Sequence, residues 1–296
     1  MTYEVEEPSE VRDILVKKFN ISARLLRKLK QNSHIFCNGK DVWVNHSVYP
    51  KDIVSVDITF EESNEKIKSQ VGKMDILYED NCLLMLNKPA NMVVHPTCIH
   101  LDGTLANFVK GYLESKGENV ATRFVNRLDR DTSGVIVFAK NDYTQESLVR
   151  EMQRGDFTKE YVAVVHGIIT EDFGTIDLPI KREEGSIMTR TVSADGERAI
   201  THFRVIKRLR DMTLLRLRLE TGRTHQIRVH LKAIGHPIVG DGLYSSIETD
   251  SINRQALHAE RISFVHPVTK EMVCVEADIP EDMKRLILLS EKVDEK

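Results

Sequence analysis

Five apolar residues in a row, Val135-Ile136-Val137-Phe138-Ala139, follow a mostly polar stretch, Asn126 to Gly134. A continuous apolar run with β-branched residues predicts a strand buried on both faces. The polar stretch, ending in Gly, predicts a loop that feeds it. Near the N-terminus, Val11, Ile14, Leu15, Phe19, Leu25, Leu26 and Leu29 recur at helical spacing. Ser22 is placed to cap a second helix from Ala23. Ile35-Phe36-Cys37 runs into Asn38-Gly39, a hairpin signal, and Ile53 to Ile58 alternates as a strand does. Ile76 to Tyr78 and Leu83 to Leu86 predict strands split by the turn Glu79-Asp80-Asn81. Lys159 to Val165 predicts another, and Leu215 to Leu219, interleaved with Arg216 and Arg218, predicts a strand with one polar face. Helices are expected over Thr104 to Leu113, Gln145 to Gln153 and Asp282 to Leu289, with a frayed charged end. Strands are many, long helices few, and no βαβ alternation is present. The predicted class is α+β with a mixed or antiparallel sheet. Residues 1–60 make a small unit, the aperiodic polar residues 61–72 a linker, and residues 73–296 the large domain.

Composition sharpens this picture at three points. The 296 residues are 41% hydrophobic, enough for one large core and a small one. The net charge is −3, so no bulk positive field points to nucleic acid. Positive charge is instead local. Residues 11–30 hold Arg12, Lys17, Lys18, Arg24, Arg27, Lys28 and Lys30 against Asp13 alone, and residues 198–232 hold ten Lys or Arg against two acids. Cys37, Cys82, Cys98 and Cys274 lie far apart with no Cys-x-x-Cys pair, which fits a reducing cytosol rather than a disulfide framework or a zinc site. The first ten residues are acidic without an apolar core, so no signal peptide is expected. No apolar run reaches the ~18 residues of a membrane span. A cytoplasmic location is the expectation.

The charges before the buried strand need a reason. Arg127, Asp129, Arg130 and Asp131 are costly there unless paired or used, although an isolated Arg-x-Asp is most often a solvated turn. Several chemistries drop out. No Gly-x-x-x-x-Gly-Lys-Ser/Thr is present, and Ser133 is not in a Gly-x-Ser-x-Gly elbow. His225 and His230 are five apart, a poor spacing for joint metal ligands, and no metal site is predicted. There remain a carboxylate in a loop before a buried strand, a Lys-x-Tyr strand at 159–161, and the segment Gly222 to Arg228 in a basic region.

Those stretches carry a resemblance. NKPANMVVHP (87–96), RLDRDTSGVIVFAK (127–140), FTKEYVAVVHG (157–167), TGRTHQIRVHL (221–231), Gly240-Asp241 with Tyr244, and ALHA (256–259) followed by His266-Pro267 stand in one order. Together, from about residue 74 to 280, they resemble the RluA-type family of pseudouridine synthases. The resemblance implies that family's fold, a mixed, mainly antiparallel sheet with a central RNA-binding cleft. It implies isomerisation of uridine to pseudouridine, most of all in large-subunit ribosomal RNA, with no cofactor. The bond from the sugar's anomeric carbon to the base nitrogen breaks, and the base rejoins through carbon 5. A carboxylate beside the sugar stabilises or captures the positive charge, as in glycosidases, or removes a sugar proton.

By the same resemblance Asp129 matches the catalytic Asp, and Arg228 the Arg paired with it, with Arg223 the weaker candidate. Asp131 and Asp241 are read as structural. Tyr161 matches the active-site Tyr that stacks on the base, and Arg127 the residue linked to base flipping. Arg223 and His225 are expected to touch RNA. Asn126 stands where the family usually has His. Residues 11–60 resemble, more loosely, the small RNA-binding domain first known from a ribosomal small-subunit protein. That implies RNA contacts from Arg24, Arg27 and Lys28, although Lys51 replaces that motif's Gly. A monomer is expected. The alternatives are a non-catalytic RNA-binding or ribosome-assembly factor on the same scaffold, and a nucleoside glycosidase.

Overall fold

The computed structural model describes residues 1–31, 34–60, 67–97 and 99–291. The N-terminal unit grows from the two patterns read there. Helix Ala23–Gln31 buries Leu25, Leu26 and Leu29, and Leu25 N donates to Ser22 Oγ at 3.1 Å at its start. The stretch before it is less regular than a helix: an α turn, Val11–Asp13, passes into a π-helical turn, Ile14–Lys18. Asn20 then adopts φ 55°, which reverses the chain before the helix. Asn38 (φ 51°) and Gly39 (φ 76°) are both left-handed, as a tight hairpin requires. They join Ile35–Cys37 to Lys40–Asp41 in an antiparallel sheet ordered Thr2–Glu4, Ile53–Val56, Ile35–Cys37, Lys40–Asp41.

Of the segment read as a linker, residues 61–66 lie outside the described residues. Residues 67–72 run along helix Leu105–Ser115. Ile67 is buried, Lys110 Nζ donates to Ile67 O at 2.7 Å, and Asn107 Nδ2 donates to Lys68 O at 2.8 Å. A Cβ on Gly111 would sit 2.2 Å from Gln70 O, so glycine in this helix is what lets the strap lie flat on it. These ties use backbone atoms, which a polarity pattern does not display.

The large domain is built on a nine-stranded sheet. From one edge the order is Phe173–Asp177, Ile200–Arg208, Met212–Leu219, Thr158–His166, Leu257–Val265, Ser133–Ala139, Leu83–Lys88, Ile76–Glu79, with Met272–Glu276 also paired to Leu257–Val265. The pairings are antiparallel except Ser133–Ala139 with Leu257–Val265. The fold is therefore mixed and mainly antiparallel, as expected. Every residue of Ser133–Ala139 is buried. Ile136 and Phe138 enter one core with Tyr161 and Leu217, while Val135 and Val137 enter another with Leu148 and Phe157. Gly134 (φ 115°) is required at the parallel crossing, where a Cβ would stand 2.2 Å from Ala259 O.

The two units meet at helix Asp142–Arg154. Tyr143 is buried in the N-terminal core, and Lys28 Nζ reaches Asp142 Oδ2 at 2.7 Å. No helix among the described residues is long and apolar enough to cross a membrane.

Candidate active site

The loop before strand Ser133–Ala139 is held from two sides. Asn126 is buried, and its Oδ1 accepts from Val137 N at 2.8 Å. Its polar end thus braces the loop against the strand. Asn126→Ala would leave a buried N–H without an acceptor. We expect a loss of about 1–3 kcal/mol, read as a lower urea midpoint at constant slope. Activity of the folded fraction should fall far less than on removing Asp129. Beneath the loop, Lys88 is fully buried, and its Nζ donates to Pro89 O, Met92 O and Arg130 O at 2.7, 3.0 and 2.9 Å. Burial pulls its pKa down, to about 7, against Asp131 and Asp129. Three carbonyls in reach match the three donors of the ammonium, which favours the charged form at this spot.

Asp129 emerges from this braced loop into a cleft of about 450 Å³, a size suited to a small polar ligand or one nucleotide. The facing wall is the turn Thr221 to His225 and the helix Gln226–Ala233. Sequence pattern did not announce that helix, because polar Gln226, Arg228 and His230 alternate with apolar Ile227, Val229 and Leu231 at the period of a strand, and all six are buried. Its Arg228 is the hub. Nε and Nη2 bind Asp241 Oδ2 and Oδ1, each at 2.7 Å, and Nη1 binds Asp129 Oδ2 at 3.2 Å. Burial pulls the guanidinium pKa down, but Asp241 and Asp129 outweigh it and hold the charge in place. Asp241 Oδ1 also accepts from Leu243 N and Tyr244 N, so this carboxylate is occupied and faces away from chemistry.

Tyr161 lies in the cleft on strand Thr158–His166 and is only 6% exposed. Burial, then the charge of Asp129, pushes its phenol well above the usual range, so it stays protonated. Lys159, two residues earlier on the same strand, lines the same cleft. The Lys-x-Tyr spacing carried the signal for it, since alternate strand residues share a face. Arg223 does not approach Asp129: it pairs with Glu197, and its Nε donates to Arg198 O at 3.1 Å. Arg127 lines the cleft and also an adjoining depression of about 390 Å³ with Lys181, Arg182 and Arg190. His225 lies against Asp129, Nε2 to Oδ2 at 3.7 Å. Arg24 and Arg27 are exposed on their helix, remote in sequence from the cleft, whereas Lys28 turns to Asp142 and the Phe60 ring. Arg130 pairs with Asp131 at 3.2 Å.

Asp80, Cys82 and His266 bring possible metal-binding atoms within 4.8 Å of one another. His266 Nδ1 accepts from Val268 N and Thr269 N, so the neutral ring carries its proton on Nε2, facing Asp80 Oδ2 at 3.1 Å. Asp80 also accepts from Tyr78 Oη, Cys82 N and Leu83 N. The Asp80 oxygens are thus taken up by the protein, and none of the three residues lines the cleft.

The family model for RNA pseudouridylate synthase matches residues 82–233. The chain belongs to that family. It is 45% identical over 260 residues to the uncharacterized RNA pseudouridine synthase YlyB of Bacillus subtilis, covering 87% of this chain and 86% of the relative. It is 39% identical over 249 residues to ribosomal large subunit pseudouridine synthase D of Xanthomonas campestris, covering 80% and 75%. Among solved structures, human RNA pseudouridylate synthase domain containing 1 superposes with TM-score 0.59 at 25% identity, over 77% of this chain and 98% of that one. The protein is thus an RNA pseudouridine synthase, an isomerase of uridine in RNA.

Proposed function

We propose that this pseudouridine synthase acts on large-subunit ribosomal RNA in the cytoplasm, as a monomer, with Asp129 as its catalytic carboxylate. One observation carries the assignment. Asp129 opens on the cleft while a buried cation, Arg228, holds it from behind and is itself locked to buried Asp241. An opposite charge at this distance orients the carboxylate toward the positive sugar that forms as the glycosidic bond breaks. Tyr161 offers a ring face for the uracil and an O–H, not a phenolate base. Arg127, between the cleft and the basic depression, is placed to fill the gap left by an extruded uridine. The relative from Xanthomonas, named for the ribosomal large subunit, supports that RNA as the target. Pseudouridine mapping of ribosomal and transfer RNA, from cells with and without the gene, tests the reading. Loss of one or a few large-subunit sites is expected; losses confined to transfer RNA would overturn the ribosomal assignment.

Residues 1–60 serve, in this reading, as an accessory RNA anchor of the small ribosomal-protein type. The exposed Arg24 and Arg27 are the phosphate contacts, and Lys28 instead joins the two units through Asp142. Arg24→Ala/Arg27→Ala should weaken RNA binding and lower the slope of log K against log salt by roughly 1–2. Single-turnover rate at saturating RNA should hold. An unchanged salt slope would remove these arginines from the interface.

A further inference from the structure

His225 sits at the head of helix Gln226–Ala233 with φ 58° and ψ 18°, a left-handed backbone that a non-glycine residue keeps only when its surroundings impose it. They do so here. Gln226 Oε1 accepts from Thr221 Oγ1 and Arg223 N at 2.8 and 2.9 Å, and its Nε2 donates to Ile200 O at 2.9 Å. The imidazole is thereby aimed between two groups. Nδ1 lies 2.8 Å from Tyr244 Oη, and Nε2 lies 3.7 Å from Asp129 Oδ2.

The proton's place on that ring follows from hydrogen-bond accounting. Tyr244 is buried, and its Oη accepts from Arg190 N at 2.8 Å. If Nδ1 carried the proton, the hydroxyl's own hydrogen would be left in the interior without an acceptor. A bare Nε2 lone pair would then face a carboxylate oxygen. With Tyr244 Oη–H donating to Nδ1, both faults vanish and Nε2–H points at Asp129. The charged and titratable groups around the ring are Asp129 from the loop, Arg190 from strand Arg190–Val192, Arg228 and Lys232 from its own helix, and Asp241 and Tyr244 beyond it. Burial, with Arg228 and Arg190, holds the imidazole below its ordinary range against Asp129 and Asp241, so it is neutral near pH 7.

Building on Asp129 as the catalytic carboxylate, we propose that His225 is a positioning residue for it. Tyr244 fixes the proton on Nε2. Nε2–H and Arg228 Nη1 both address Oδ2, which leaves Oδ1 as the oxygen presented to the sugar. The 3.7 Å gap is longer than a hydrogen bond and closes as the cleft takes its nucleotide.

The test uses the full chain and single-turnover pseudouridine formation on large-subunit ribosomal RNA transcript between pH 5.5 and 8.5. Tyr244→Phe frees the neutral ring to place its proton on either nitrogen. We expect the maximal rate to fall roughly tenfold at pH 8 with RNA affinity held, and the deficit to shrink as pH falls, because imidazolium again guarantees Nε2–H. His225→Gln keeps a donor near the Nε2 position that does not titrate. Its deficit should be independent of pH, and adding Tyr244→Phe to it should cost little more. If Tyr244 only braces strand Arg190–Val192, its deficit will be the same at every pH and in both backgrounds, and the proposal fails. A second measurement needs no activity. In ¹⁵N-histidine-labelled wild type, with His225 assigned by its absence in His225→Gln, the ring should be neutral and protonated on Nε2 at pH 7.5. Protonation on Nδ1 would overturn the proposal. This readout stands apart from the role of Asp129, which the Asp129→Asn variant decides.

Discussion

Asp129→Asn should fold, bind RNA and make no detectable pseudouridine, a loss of at least about 10⁴-fold, or roughly 5.5 kcal/mol in the barrier. The amide matches the carboxylate in shape but cannot act as nucleophile, as base or as a charge opposite the sugar cation. The fold should barely notice. Asp129 has a side chain 29% exposed, and Arg228 keeps both bonds to Asp241 when Asn stands at position 129. Partly exposed pairs contribute about 0–1 kcal/mol, so the urea midpoint should move little. Substantial product from purified Asp129→Asn would end the assignment. A collapsed midpoint would show instead that the carboxylate is structural.

Arg228→Lys should damage both stability and rate. Arginine meets two carboxylates with three nitrogens, and a single ammonium cannot cover Asp241 in bidentate fashion while also touching Asp129. The Asp241 side chain is wholly buried, so any bond lost there leaves a charge poorly compensated. Breaking such a pair outright costs about 3–5 kcal/mol; the retained positive charge should limit the loss to roughly 2–3 kcal/mol. Below the shifted unfolding transition, the single-turnover rate should fall on the order of 100-fold, about 2.7 kcal/mol, because Asp129 loses its fixed orientation. Circular dichroism in urea and single-turnover assays on one preparation separate the two effects. A variant with wild-type rate would show that Arg228 only supports the fold.

The elements with strong periodicity could be read from local pattern. Val135 to Ala139 is an unbroken apolar run that opens on three β-branched residues, and a strand inside a sheet is the conformation that buries such a run while satisfying its backbone. Leu25, Leu26 and Leu29 fall on one face of a helix, and the Ser22 side chain satisfies one of its orphan donors, Leu25 N. Asn126 was read as a departure from the family. Its hydrogen bond to Val137 N makes it a brace whose geometry a side-chain amide supplies. Helix Gln226–Ala233 escaped notice because its buried residues alternate polar and apolar as a strand does, and residues 67–72 because their ties run through backbone carbonyls.

The amino-acid sequence by itself determined the chemical inventory. It set the carboxylate next to a rigid strand, the basic segment 198–232, and the class of sheet, since propensity and period act over a few residues. Only the tertiary structure decided who meets whom. Asp129 and Arg228 are 99 positions apart, and their contact exists because strand Thr158–His166 lies between Met212–Leu219 and Leu257–Val265, which in turn runs beside Ser133–Ala139. Lys28, on a basic helix face, meets Asp142, 114 positions away, where the two units pack together. Charge pairing depends on distance after folding, and in this chain that distance is set by strand order, which is not encoded in any local stretch.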